Sequence, residues 1–334
     1  MIPRIAFLLC VALLALPALG QTTLNGAGAT FPYPMYSKWF SEYHKLHPDI
    51  QMNYQSIGSG GGIRQVLANT VYFGASDGPM TDEQLSQSKV KILHIPTVLG
   101  SVVPAYNVPG VTGEIKFTPQ ALAGIFLGKI TSWNDPALTK DNASLNLPNQ
   151  PIVVVHRSDG SGTTFIFTDY LSKVSPEWRN SVGKGTSVKW PLGLGNKGNE
   201  GVAGMIRQLP GSIGYVELIY AVQNKIPYGT VKNSSGSFVK ASLESTTAAA
   251  ASVKTMPADF RVSITNAPGK DSYPISSFTW LLIPTQSKDN KGKILADFLN
   301  WMVDSGQKMA AELTYAPLPQ SVAEKVKAAV KEVK

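Results

Sequence analysis

The chain predicts an α/β fold. Short apolar segments of strand length alternate with amphipathic segments of helix length, and Gly- or Pro-containing turns separate them. At 334 residues the chain exceeds what one hydrophobic core usually serves, so two domains are expected. No internal repeat, low-complexity tract or long linker interrupts the alternation.

The elements follow in order. Met35, Tyr36, Trp39, Phe40, Tyr43 and Leu46 fall at helical spacing, so Tyr33 to His47 reads as an amphipathic helix. Ile50 to Gln55 reads as a strand, Ile63 to Asn69 as a short helix and Val71 to Ala75 as a strand. Thr81 with Gln84 forms a capping-box pattern at the start of another helix. Ile92 to Tyr106 is apolar and extended, with breaks expected at Pro96 and Pro104. Pro151 to His156, centred on Val153-Val154-Val155, is the clearest buried strand, and Phe165 to Leu171 continues as a helix. Ile213 to Val216 and Phe278 to Ile283 are further strands, and the tail from Val322 is helical.

The first residues point to export. Arg4 supplies a positive start, Ile5 to Leu16 is a nearly unbroken apolar run, and Ala18-Leu19-Gly20 offers small residues ahead of Gln21. The run is too short for a stable membrane-spanning helix, which needs about 20 residues. Residues 1–20 therefore read as a secretory signal peptide cleaved before Gln21. Cys10, the single cysteine, lies inside this run after Leu9, which does not fit a lipid-attachment site. The mature chain is thus expected to carry no disulfide and no thiol nucleophile.

The balance is basic, 30 Lys plus Arg against 22 Asp plus Glu. Nucleic-acid binding is not expected, because the cations are scattered. The exception is Lys325, Lys327, Lys331 and Lys334, the last three of which are spaced as one solvated helix face.

Four stretches share one design: a strand end, a turn of small residues, then a helix start. Such a turn aims free backbone N–H groups and the positive end of the helix dipole at one point. The first is Gly26-Ala27-Gly28-Ala29-Thr30-Phe31, where Thr30 offers a hydroxyl and Phe31 a backbone N–H; alone it fits an ordinary capped turn equally well. The second is Gly58-Ser59-Gly60-Gly61-Gly62. Each glycine costs up to about 1 kcal/mol relative to alanine in a helix, so three together suit a backbone that something must approach closely. The third, Phe73-Gly74-Ala75-Ser76-Asp77-Gly78, ends in a carboxylate; by itself Asp before Gly reads first as a turn. The fourth runs from Arg157 through Ser158, Asp159, Gly160, Ser161, Gly162 and Thr163 to Thr164. Here a guanidinium, whose fork of donors suits a tetrahedral oxyanion, precedes a helix with Ser161 at its N-cap, and Asp159 is placed to hold Arg157. All four fall at carboxyl ends of strands, where ligands bind in open α/β sheets.

Other chemistries lack their residues. Gly193-Leu194-Gly195-Asn196-Lys197-Gly198, with Glu217 beyond it, matches a dinucleotide fingerprint, but Lys189-Trp190-Pro191-Leu192 breaks the strand it requires. Lys129 and Lys184 lack the Ser or Thr that must follow in a phosphate-binding P-loop, and no G-x-S-x-G elbow occurs. His44 and His47 have no carboxylate or cysteine cluster around them, and His156 alternates away from Arg157 along its strand.

The four stretches, in this order, closely resemble those of the periplasmic phosphate-binding proteins of phosphate-specific ABC transporters, a family of solute-binding proteins. The likeness continues through Val188-Lys189-Trp190-Pro191-Leu192-Gly193 and Gly211-Ser212-Ile213-Gly214-Tyr215-Val216 to the C-terminal helix, and so covers essentially the whole mature chain. The resemblance implies two α/β domains of type II-like arrangement with the ligand cleft between them and a crossing hinge. Residues 21–98 plus 276–334 would form one domain and 99–275 the other. It implies phosphate contacts from Thr30, Phe31, Ser59, Asp77, Arg157, Ser161, Gly162 and Thr163, with Asp159 orienting Arg157. Gly60 stands where relatives often carry a second serine and His156 where some carry another arginine, and neither is a core contact. The resemblance further implies a monomeric, non-enzymatic periplasmic protein without metal or cofactor, whose partners are inorganic phosphate and a membrane-embedded permease. Arsenate or sulfate binding on the same fold, and a secreted phosphatase, are the competing readings.

Overall fold

The computed structural model describes residues 21–287, 289 and 291–334; the expected signal segment, 1–20, lies outside the described residues. Among the described residues no helix is long and apolar enough to cross a membrane.

Among the described residues eleven strands run in chain order: β1 (Thr22–Gly28), β2 (Ile50–Ser56), β3 (Phe73–Ser76), β4 (Ile92–Asn107), β5 (Lys116–Phe117), β6 (Val153–Arg157), β7 (Leu194–Asn196), β8 (Ser212–Glu217), β9 (Thr230–Lys232), β10 (Phe238–Val239) and β11 (Ser276–Pro284). Eight of them make one sheet in the order β2-β1-β3-β11-β4-β8-β6-β7, and β10-β9-β5 form a small second sheet. The long strand β4 organises the first sheet. It pairs antiparallel with β11 over Ile92–Ser101, then with β8 over Val102–Asn107. On one side of that change β1 runs parallel to β2 and β3; on the other β6 runs parallel to β7 and β8. Parallel strands joined through helices send their carboxyl ends to one edge, and so the loops after β1, β2 and β3 form one group and those after β6 and β7 another.

The expected interruption of Ile92 to Tyr106 does not occur. Pro96 falls where the register with β11 shifts, between the pairs Trp280–Pro96 and Thr279–Val98. The residue left out of the ladder there is Thr97, and Pro96, opposite Trp280, stands beside it where the ladder is already disrupted and a proline is tolerated. Pro104 pairs with Tyr215, and its carbonyl accepts from the Gly229 N–H at 3.1 Å.

A second difference lies in the glycine-rich stretch. The helix starts at Ser59, not at Ile63, and runs to Leu67, so the three glycines belong to its first turn. Packing overrides their low helix propensity: a Cβ on Gly62 would lie 2.6 Å from the Gly28 Cα. The helix axis is thereby pressed onto the end of β1. Elsewhere the helices keep their expected places, as Tyr33–Leu46, Gly162–Val174 and Gln320–Val330. The capping box of Thr81 and Gln84 forms, with both reciprocal bonds made.

Aromatic side chains fill the core on both sides of β4. Phe40 of the first helix meets Tyr54, Phe73 and Phe298 at 5.4–6.3 Å between ring centres. Beyond β4, Phe167 stacks on Tyr215 at 4.5 Å, and Trp190 stacks on the same tyrosine at 5.6 Å. Burying a large apolar side chain contributes about 1.5–3 kcal/mol, enough to hold each sheet face to its helices.

Candidate anion-binding site

The four stretches meet. The Asp77 N–H donates to Ser59 Oγ at 3.2 Å, joining the second stretch to the third. A Cβ added to Gly162 would sit 2.5 Å from both Asp77 Oδ2 and Ser59 Oγ, so the fourth stretch abuts these two and only glycine fits there. The Gly60 N–H donates to the Gly160 carbonyl at 2.9 Å. Asn199 closes the ring: its side-chain Nδ2 donates to Thr30 Oγ1 at 2.8 Å and to Thr163 Oγ1 at 3.0 Å, joining the first stretch to the fourth. Thr30, Phe31, Ser59, Asp77, Arg157, Ser161 and Thr163 are all at most 3% exposed, and Gly162 is buried with them.

The polar groups are sorted by role. Each of four hydroxyls accepts from a protein N–H: Thr30 and Thr163 from Asn199, Ser59 from the Asp77 amide, and Ser161 from the Thr164 amide at 3.0 Å. Among the described residues none of the four has an acceptor for its own proton. A hydroxyl whose lone pairs face donors points its O–H elsewhere. The amides of Phe31, Ser59, Gly162 and Thr163 likewise have no protein acceptor among the described residues; three of them are first-turn N–H groups, which a helix leaves unpaired. Ser161 caps its helix as expected from the sequence, and its hydroxyl serves that cap.

Arg157 and Asp159 form the expected pair. Nε and Nη2 of Arg157 donate to the two carboxylate oxygens of Asp159 at 2.7 and 2.6 Å. The remaining nitrogen, Nη1, points to Thr163 Oγ1 at 3.4 Å. Burial alone works to raise the Asp159 pKa, but the bonds and charge of Arg157 and the Gly198 N–H outweigh it and hold the carboxyl below its ordinary range.

Asp77 is the acceptor in this donor-rich interior. Thr279 Oγ1 donates to its Oδ1 at 2.7 Å, while its Oδ2 is buried without a hydrogen-bond partner among the described residues. Burial pushes its pKa up to about 7, against the opposing effects of the Thr279 bond and the Arg157 charge. A second buried carboxyl, Glu217, lies behind it. Its Oε2 accepts from the Ile219 N–H at 2.8 Å, and burial together with the charge of Asp77 raises its pKa well above the usual range.

The sequence offers no sign that Asn199 and Thr279 belong to the site, and it marks Glu217 only as the carboxylate beyond the Gly193–Gly198 fingerprint. Asn199 follows directly on the Gly193–Gly198 stretch; Gly193 precedes β7 and Gly198 opens the helix Gly198–Gln208, with its N–H on Asp159 at 3.2 Å. Thr279 is a single hydroxyl flanked by Phe278 and Trp280, and nothing in that local pattern marks its partner. Glu217 ends β8, where a charged residue closing a buried strand signals a helix cap. His44, His47 and His156 stay outside the site. His44 bonds the Ile50 carbonyl at 2.7 Å, His47 is exposed, and His156 stacks on Trp190 at 4.8 Å. Among the described residues no group of three or more His, Cys, Asp or Glu is arranged to hold a metal ion.

A family model described as the PBP superfamily domain matches residues 16–305. The chain is 48% identical over 309 residues to the phosphate-binding protein PstS of Pasteurella multocida, covering 92% of this chain and 89% of that protein. It is 48% identical over 315 residues to the phosphate-binding protein PstS of Haemophilus influenzae, covering 93% of each. In fold it is similar to a high-affinity periplasmic phosphate-binding protein solved with phosphate bound, with a TM-score of 0.73, 23% identity and coverage of 92% of this chain and 93% of that one. The match across most of the chain, and the identity to these relatives over nine-tenths of it, show that the chain belongs to the PBP superfamily and, within it, to the PstS family of phosphate-binding proteins.

Proposed function

We propose that this protein captures inorganic phosphate in the periplasm and delivers it to a membrane-embedded ABC permease. One observation carries the reading: Asp77 Oδ2 is a buried, unpartnered acceptor among convergent donors. Near neutral pH phosphate keeps at least one proton, and an ionised carboxylate can only accept. A protonated oxyanion satisfies Asp77 and the donors together. A proton-free anion such as sulfate would set two negative groups face to face, so discrimination works by repulsion as well as attraction.

In this reading the hydroxyls of Thr30, Ser59, Ser161 and Thr163 and the amides of Phe31, Ser59, Gly162 and Thr163 bind the anion's oxygens. Arg157, oriented by Asp159, supplies the positive charge. Charge-assisted hydrogen bonds contribute about 1.5–3 kcal/mol each, and micromolar affinity requires about 8 kcal/mol in all. The donor set is ample even after the costs of desolvation and closure. The names of the relatives, and the phosphate-bound neighbour in fold, support the same ligand.

Residues 21–98 plus 276–334 and residues 99–275 act as two domains that close on the ligand, as periplasmic binding proteins generally do. Supporting this division, β4 changes partners between Ser101 and Val102, and the Val102 N–H bonds the carbonyl of Ile275, next to the start of β11. The protein works as a monomer, exported by residues 1–20, and performs no chemistry on its ligand. The names of the relatives, phosphate-binding proteins, support binding without turnover.

Equilibrium dialysis of phosphate-stripped protein against radiolabelled phosphate tests this. One saturable site per chain is expected; uptake that never saturates refutes the reading.

A further inference from the structure

Asn199 is fully buried and uses every polar atom it has. Its backbone N–H donates to Thr30 Oγ1 at 3.1 Å, its Nδ2 donates to Thr30 Oγ1 at 2.8 Å and to Thr163 Oγ1 at 3.0 Å, and its Oδ1 accepts from the Glu217 N–H at 2.9 Å. The last bond fixes the orientation of the amide, because a reversed amide would set two N–H groups against each other.

We propose that Asn199 is a positioning residue that makes the Thr30 and Thr163 hydroxyls obligate donors to the bound anion and ties that state to closure of the cleft. This rests on the phosphate reading above and deepens it. A threonine hydroxyl carries one proton and two lone pairs. Asn199 delivers two N–H groups to the same oxygen of Thr30, which fills both lone pairs and leaves only the proton to offer. At Thr163 the second Nδ2 hydrogen and the Arg157 Nη1 do the same. A hydroxyl without such partners can rotate and accept the proton of the phosphate, competing with Asp77. Asn199 therefore keeps Asp77 as the acceptor in the site.

The coupling to closure follows from chain position. Thr30 lies after β1, in the group of loops that includes Ser59 and Asp77. Asn199, Thr163 and Glu217 belong to the β6–β8 group. The two bonds to Thr30 exist only when the groups meet, so Thr30 becomes a fixed donor on closing and stays free to turn when open. The same two bonds favour the closed form.

A double-mutant cycle on the mature protein tests this, with phosphate affinity by calorimetry and the ligand-free melting temperature recorded for each variant. Thr30→Val and Asn199→Ala are each expected to weaken phosphate binding about 10- to 100-fold, the size of one or two charge-assisted hydrogen bonds. The two losses are expected to combine to less than their product, because Thr30→Val already removes the part of the Asn199 effect that acts through Thr30 and leaves only the part that acts through Thr163. Should the alanine variant not fold, Asn199→Asp completes the cycle: it keeps the acceptor for Glu217 and removes the Nδ2 donor. Independent, multiplying losses overturn the inference, as does a lowered melting temperature with unchanged affinity, which marks a purely structural role. Wild-type protein that fails to bind phosphate overturns instead the reading on which the inference stands.

Discussion

Asp159 holds Arg157 at two points, with its carboxylate oxygens 2.7 and 2.6 Å from Nε and Nη2, so that only the Nη1 edge of the guanidinium faces the site. The Arg157 side chain is 1% exposed and that of Asp159 12%. Breaking a buried pair by removing one partner costs about 3–5 kcal/mol, because it strands the other charge. Asp159→Ala is therefore expected to lower the melting temperature sharply in phosphate-free protein and much less in saturating phosphate, whose negative charge takes over part of the pairing. Equal losses in the two conditions contradict this.

Arg157→Ala removes the site's positive charge. Phosphate affinity should fall about 10- to 100-fold, while the same substitution at the exposed Arg179 should leave it unchanged. Titration of both variants decides whether Arg157 contacts the ligand.

The sulfate response should depend on pH through Asp77. Its pKa is pushed up to about 7, chiefly by burial. Above that value the carboxylate is charged and repels sulfate; below it the carboxyl carries a proton and can donate to a sulfate oxygen. Competition by sulfate is thus expected to be absent at pH 8 and to appear as pH falls below about 7. The isosteric Asp77→Asn, a donor at every pH, should bind sulfate without that dependence. Sulfate rejection in Asp77→Asn equal to wild type removes the role assigned to this carboxylate.

Asp169 governs acid stability. It is 1% exposed and receives Lys184 at 2.6 Å, Ser263 at 2.6 Å and Thr265 at 2.5 Å, with Lys173 at 3.1 Å. Burial opposes ionisation, but these donors outweigh it and lower the pKa to about 2. A depressed carboxylate contributes stability above its unfolded value of about 3.9, which is lost as pH falls through the folded value. Melting temperatures between pH 5 and pH 2 should fall less steeply in Asp169→Asn than in wild type, from a lower start at pH 7. Parallel curves rule the assignment out.

The sequence carried the local grammar of this fold. Periodicity located Tyr33–Leu46, and the capping box at Thr81 and the cap at Ser161 formed where their side chains can reach first-turn amides. These signals act within a few residues, so a linear reading reaches them. Sequence alone puts this helix start at Ile63, four residues late, because glycine propensity argues against a helix, while contact with Gly28, 34 positions before Gly62, demands one. The continuity of β4 through Pro96 depends on a bulge opposite β11, nearly 200 positions away. Of the site, the expected residues came together around Asp77, yet the groups that orient them did not show. Asn199 and Thr279 bear no local mark of their task, since each acts on residues far away in the chain, Thr30 and Asp77 respectively.

Calorimetry of phosphate-stripped protein at pH 8, with phosphate and sulfate titrated in turn, tests the central claim most directly. One phosphate per chain at micromolar affinity or tighter, with no measurable heat from sulfate, is the expected result. Comparable binding of the two anions contradicts it, because Asp77 would then not be reading the proton that distinguishes them.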